Sequence, residues 1–206
     1  MDTMSHGLWA AALAKSVNIR APHAIRSGRM ALWGIVPDLF SFTPVVAWML
    51  WQMSCNGVAF SDIPRPELMS ADERNGFFIL RLSQALYHIS HSILIFAGLF
   101  TLVWFFRRYR FREPSAYHVP GSGYGRPLRG APCFEIAGWL LHILMDIPTH
   151  SETLYPTVFL WPLSGFYFNG RSWGNIPFII GNYLCLLTVF IALRVIGKRT
   201  AEKNFL

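Results

Sequence analysis

Met30–Met53 reads MALWGIVPDLFSFTPVVAWMLWQM and holds one charged residue, Asp38. About 20 predominantly apolar residues suffice for a helix to cross the hydrocarbon core of a bilayer, and this run exceeds that length. Two further stretches are of the same kind. Phe77–Phe106 carries only Arg81 as a charged group, and Ile176–Ile196 only Arg194, at its end. A fourth, Phe134–Ile147, is apolar apart from Glu135, His142 and Asp146. It is short, and spans only if extended at either end or packed inside a bundle. The fold these stretches predict is all-α, an integral-membrane helical bundle of about four transmembrane helices. Residues 5–17 add a short N-terminal helix, capped by Thr3 or Ser5. A signal peptide cleaved near Ala12-Leu13-Ala14 is the competing reading, but Asp2 stands where a basic residue is needed.

Composition agrees. Of 206 residues 53% are hydrophobic and 16% aromatic, while 14% are charged, against roughly 25% charged in ordinary soluble domains. A soluble globule of this size has no interior large enough for so much apolar surface, and disorder requires the opposite composition. Residues 1–206 read as a single domain. The net charge of +7 is unevenly spread: residues 1–29 carry +3, residues 107–132 carry +5 and residues 194–206 carry +3, whereas residues 54–80 carry −2 and residues 147–175 carry 0. With the basic segments on the cytoplasmic side, four spans leave both termini cytoplasmic and every loop obeys the positive-inside rule. Arg107, Arg108, Arg110 and Arg112 then anchor the chain at anionic lipid heads, and no nucleic acid is needed to explain them. Residues 113–132, rich in Gly and Pro, form a flexible cytoplasmic linker. The glycines at 121, 123 and 125 lack the Gly-Lys-Ser/Thr ending and the preceding strand of a phosphate loop. Cys55, Cys133 and Cys185 lie far apart, so any metal must be held by His and carboxylate.

Ionisable groups at membrane depth cost roughly 2.5–3.5 kcal/mol or more, which makes each a functional candidate. This chain places Asp38, His88, His91, His142 and Asp146 in apolar stretches, with His6 and His150 close by. His142 and Asp146 are four apart and emerge on one helix face, one turn from each other. Pro148 disfavours helix at Ile147, leaving His150 just past the helix end and free to fold back. A lone buried His is ordinarily a hydrogen-bonded packing residue, and a His-x-x-x-Asp pair can simply fix the imidazole tautomer. The joint occurrence of several His with two Asp is instead the ligand set of zinc or another divalent ion.

Met4-Ser5-His6-Gly7, Ile35-Val36-Pro37-Asp38, Ser90-His91-Ser92, His142 through Ser151 and Phe159-Leu160-Trp161-Pro162-Leu163-Ser164 stand in the order seen in the membrane-bound metal-dependent hydrolases, the YdjM-like family, which the chain resembles from His6 to about Trp173. The arrangement is also similar to that of the all-helical zinc-dependent phospholipases C. The resemblance implies a helical bundle in a bacterial inner (plasma) membrane, one or more Zn2+ ions, and phosphoester chemistry. Carried over residue by residue, it implies His6, Asp38, His91, His142, Asp146 and His150 as metal ligands, with Asp38 or Asp146 doubling as catalytic base. Two departures stand out: Phe40 replaces the second Asp of a Pro-Asp-x-Asp, and His88 is displaced from the family's position, which makes it a second-shell residue beside Ser92.

The expected chemistry is hydrolysis of a lipid or lipid-linked phosphoester by a metal-bound hydroxide, which such an ion supplies near neutral pH. No Gly-x-Ser-x-Gly or His-Glu-x-x-His occurs to offer another route. Asn169 or Arg171 could orient phosphate oxygens, although an arginine next to Trp173 also serves as an interfacial anchor. The partners expected are the lipid bilayer and a lipid-like substrate, with the oligomeric state left open. The alternative is a metal or proton transporter, which would use the same groups but string them across the membrane. The last span offers only Asn182, Tyr183 and Thr188 for that task, and this favours the enzyme. A scaffold with a closed, structural metal is the third reading. One distance conflicts with the scheme: Asp38 falls about 12 Å from the cytoplasmic start of its span, shallower than His91 and His142. Either the span starts nearer Arg20 or it is partly re-entrant.

Overall fold

The computed structural model describes residues 1–22, 24–110, 134–152 and 155–203, and all its regular structure there is helical. The expected linker at 113–132 lies outside the described residues. Helix α1 spans Thr3–Arg20, longer than expected, and its cap is Asp2 rather than Thr3 or Ser5. The Asp2 carboxylate accepts from the Ser5 amide at 3.0 Å and from the Ser5 hydroxyl, satisfying a backbone donor left over at the helix start. Burial works against its charge, but the Ser5 bonds and the Tyr183 hydroxyl hold its carboxyl below the usual range.

Helix α2, Ser27–Cys55, contains Pro37 and Pro44. It begins three residues before the apolar run, which puts Asp38 about 17 Å along it, near its middle. That start lets Asp38 meet His91 and His142 in the folded chain. Short 3-10 turns at Phe60–Asp62 and Pro66–Leu68 and helix α3, Ala71–Gly76, lead into α4, Phe78–Ser90. Helix α5, Ile93–Arg110, follows at once but is bent by 59° from α4. The chain from the far side of the bundle causes the break. Ile93 donates its amide to the Phe159 carbonyl at 2.9 Å, and Ser92 donates its hydroxyl to the Trp161 carbonyl while accepting from the Ile95 amide. Ser92 thus acts as the N-cap of α5, and His91 is left at the break. A 3-10 turn at Phe134–Ile136 opens α6, Ala137–Thr149, and α7 runs from Ile176 to Lys203.

Helices α2 and α7 are long and apolar enough to cross a membrane, and α4 with α5 passes as one broken span. Helix α6 has only 13 residues, shorter than a span. The centre of the molecule is α2, against which α1, α4 and α6 pack. Two glycines set how closely they meet. A Cβ on Gly138 of α6 would lie 2.2 Å from the Met30 carbonyl of α2, and one on Gly34 of α2 would lie 2.9 Å from the His6 carbonyl of α1. Only glycine permits such backbone contact, the device by which helices in lipid associate closely. Met30 with Ala10 and Ala14 fills one side of this crossing, and Phe96, Ile136, Trp139 and Ile143 the other. Helix α7 attaches to α1 through Trp9 and Asn182 (2.9 Å), Asn182 and Ser5 (2.7 Å), and Tyr183 and Asp2 (2.9 Å).

Candidate metal centre

The glycine crossings bring α1, α2 and α6 together at the level of the α4–α5 break, and four buried side chains converge there. One ligand atom each from Asp38, His91, His142 and Asp146 lies within 4.8 Å of all the others. His91 Nε2 and His142 Nε2 are 2.9 Å apart, and each is 3.2 Å from Asp146 Oδ2. Asp38 Oδ1 is 3.6 Å from the first and 3.4 Å from the second. An ion with four bonds of about 2.0–2.1 Å in tetrahedral array has ligand-to-ligand edges of about 3.3 Å. The five distances scatter about that value.

Tautomers follow from the other ring nitrogens. His142 Nδ1 is 2.6 Å from the Gly34 carbonyl, and His91 Nδ1 is 3.1 Å from the Tyr87 carbonyl and 2.9 Å from Ser90 Oγ. Carbonyls only accept, so both Nδ1 atoms carry the proton and donate. Each Nε2 therefore points into the cluster, and the two face each other and two carboxylate oxygens. Two buried carboxylates meeting two ring nitrogens call for positive charge among them, which a bound metal ion or protons on the rings can supply. Asp146 Oδ2 accordingly has no hydrogen-bond partner among the described residues. The donor set, two imidazoles and two carboxylates held by backbone carbonyls behind the rings, fits a borderline divalent ion.

The other carboxylate oxygen of Asp146 faces a second group. His6 Nε2 lies 2.9 Å and His150 Nε2 3.3 Å from Oδ1, and the Met1 amino group sits against the same oxygen, 3.1 Å from Thr149 Oγ1 and 3.2 Å from His150 Nε2. The His6 ring stacks on His142 at 3.6 Å, and neither of its nitrogens completes a well-directed hydrogen bond among the described residues. His150 caps the C-terminus of α6, past Pro148, and its Nδ1 is 3.1 Å from the Tyr155 carbonyl.

Four of the residues expected around the site supply no ligand atom to the described cluster. His88 takes no part in the described hydrogen bonds or ion pairs of the cluster, because on α4 it points away from the face that carries Tyr87 and His91. Ser92 is spent on the helix break. Asn169 accepts from the Glu152 amide through its side chain, and the amides of Gly170, Arg171 and Trp173 bond to the carbonyls of His150, Pro148 and Thr149. The segment thereby pins the end of α6.

The sequence did not point to the groups that hold the ligands. Tyr87 is fully buried, stacks on His91 at 3.7 Å, and places its hydroxyl 3.2 Å from His150 Nδ1 and 2.9 Å from Thr157 Oγ1. Its spacing of four before His91 was a usable signal. Thr3 donates to Asp38 Oδ2 at 2.7 Å, and Ser41 joins Ser90 in the chain behind His91. No family model, no curated protein and no solved structure matches this chain.

Proposed function

We propose that the chain is a membrane-embedded, metal-dependent hydrolase of the zinc type, acting on a lipid or lipid-linked phosphoester. The observation that carries this reading is the convergence of His91 Nε2 and His142 Nε2, 2.9 Å apart, with Asp38 and Asp146 in one buried cluster, each ring held from behind by a backbone carbonyl. Asp38, His91, His142 and Asp146 would hold the ion, and Asp146, through its second oxygen, ties His6 and His150 to the same centre. Bound there, zinc lowers the pKa of a coordinated water toward neutrality and polarises a phosphoryl oxygen.

The chain's own residues supply the rest. Asp38 turns one oxygen to the cluster and the other to Thr3, so it stands ready to take a proton at Oδ2 with Thr3 holding the carboxylate in place. His150, oriented by Tyr87 and by the Tyr155 carbonyl, offers Nε2 beside Asp146 and can return a proton to a leaving oxygen. The buried surroundings exclude bulk water and strengthen both interactions.

In the full reading the fold has four spans in a bacterial inner membrane, with the short α6 packed inside the bundle and the basic segments, including Arg20 to Arg29 and the C-terminal end of α7, on the cytoplasmic face; Met1, expected there too, is instead buried beside Asp146. The candidate spans, the charge distribution and the resemblance to the YdjM-like hydrolases support it. The substrate class rests on the membrane setting. Metal analysis of detergent-solubilised protein, purified without chelator, tests the centre: one or more equivalents of zinc or a similar divalent ion are expected. Metal-free protein that takes up none on addition would return these histidines to a packing role.

A further inference from the structure

On the far side of α1 and α6 from the metal centre, α7 leaves a crevice. It has a volume of about 450 Å³ and is lined by Trp9, Leu13, Leu141, Met145, Val189 and Leu193, with almost no polar surface. Leu193 is also a wall of a second recess, of about 490 Å³, between α1 and α7, and this one holds two cations, Lys15 and Arg194. Lys15 Nζ lies 4.9 Å over the Phe190 ring. Neither Lys15 nor Arg194 has an ion-pair partner among the described residues, because Asp2 stands at the other end of α1 and Glu202 two turns beyond Arg194. The hydrogen bonds between α1 and α7 gather at the Asn182 and Tyr183 end. Toward Arg194 the two helices are separated by these cavities.

Two like charges beside one apolar channel call for an occupant with a negative head and an apolar stem. A free inorganic anion would leave the channel empty. We propose that α1, α6 and α7 form a binding site for one phospholipid with an anionic headgroup, its acyl chain along Trp9, Met145 and Leu193 and its phosphate between Lys15 and Arg194. The site is independent of the metal centre. It gives α7, little buried by protein, a lipid wedge against the bundle on the side where the positive-inside rule puts anionic lipid.

The test is native mass spectrometry of detergent-purified protein offered dioleoyl phosphatidylglycerol or dioleoyl phosphatidylcholine. One phosphatidylglycerol should be retained in preference to phosphatidylcholine. The double variant Lys15→Gln with Arg194→Gln should weaken retention roughly 30-fold, as two charges at a lipid surface contribute. Lys198→Gln with Arg199→Gln, two charges removed from the same helix outside the recess, should change it less than threefold. Leu193→Trp, which fills the channel and keeps the charges, should abolish the adduct. Equal retention of the two lipids, equal loss in the two charge pairs, or an undiminished adduct in Leu193→Trp would each overturn the proposal. Lys15 and Arg194 are exposed, so the charge comparison decides the matter even where Leu193→Trp fails to fold.

Discussion

Gly138→Ala adds one methyl group at a position 4 residues from His142 and in no contact with any ligand, yet it should dismantle the metal centre. The new Cβ would lie 2.2 Å from the Met30 carbonyl, 3.0 Å from the Gly34 amide nitrogen and 3.2 Å from the Met30 carbonyl carbon. Ordinary contact begins near 3.4 Å, so α6 must retreat from α2 by about 1.2 Å at this crossing. Both obstacles are backbone of α2 and neither can rotate aside. His142 and Asp146 ride on α6 while Asp38 rides on α2, so the 3.4 Å between His142 Nε2 and Asp38 Oδ1 would open by a similar amount. Metal sites tolerate about 0.2 Å in their ligand distances. Overpacking costs roughly 1–3 kcal/mol, and the better helix propensity of alanine returns about 1, so the variant should fold, with a modestly lower Tm. Its zinc affinity, measured by competition with a chromophoric chelator, should fall by 100-fold or more. Gly98→Ala in α5, where a Cβ meets nothing within 4 Å, should leave both quantities unchanged. Wild-type zinc affinity in Gly138→Ala would refute the claim that this glycine crossing sets the geometry of the centre.

His142→Ala and Asp146→Ala should each lower bound metal by more than the 10–100-fold expected of supporting residues and abolish hydrolysis of a lipid-like phosphoester, whereas His88→Ala, outside the cluster, should do neither. Asp38→Asn keeps size and one oxygen but removes the charge, so the protein should remain folded and lose activity; full activity there would remove Asp38 from the mechanism. Tyr87→Phe keeps the ring stacked on His91 and removes only the hydroxyl shared by His150 and Thr157, so a drop of roughly 10-fold in activity with metal retained is expected. Reporter fusions after Arg112 and after Lys203 should both be cytoplasmic and one near Glu67 external, and an external Arg112 fusion would contradict the four-span reading.

What could be read from the sequence was whatever depends on local spacing. His142 and Asp146 lie on one face because helix period puts them there, and His150 follows Pro148 out of the helix to the far oxygen of Asp146. Asp38 is conspicuous as the single charge in its apolar run. The break between α4 and α5 was not legible in the same way, because residues 159–161 arrive from a distant part of the chain and claim the Ile93 amide and the Ser92 hydroxyl. For the same reason the backbone bonds by which residues 170–173 hold the end of α6 have no side-chain pattern to announce them. Gly34 plays two parts invisible in sequence, admitting α1 at close range and lending its carbonyl to His142.

An enzyme and a conduit can share this ligand set, so the distinction rests on what lies above and below it. Toward the end of the bundle where α2 and α6 begin, one to two turns from Asp38, His91 and His142, the chain places Trp33, Phe96 and Trp139, and these pack together with Ile136 and Ile143 as an apolar plug. Toward the other end, past His150 and the Tyr155 carbonyl, a recess of about 200 Å³ of mixed character is lined by Arg74, Asn75, Gln84 and Glu152 together with Leu80, Tyr155 and Pro156. The polar residues of α7 add no further path. Asn182 and Tyr183 are engaged with α1, and Thr188 donates to the Leu184 carbonyl of its own helix. Among the described residues, then, the surroundings of the cluster are apolar toward Trp33 and Trp139 and partly polar toward Tyr155. A transported ion would need partners on both sides of the plug, since each unpaired charge at that depth costs several kcal/mol. A hydrolytic centre needs only one approach, for water and a phosphoester headgroup, and an apolar floor that keeps its charges in a low dielectric, where they act most strongly.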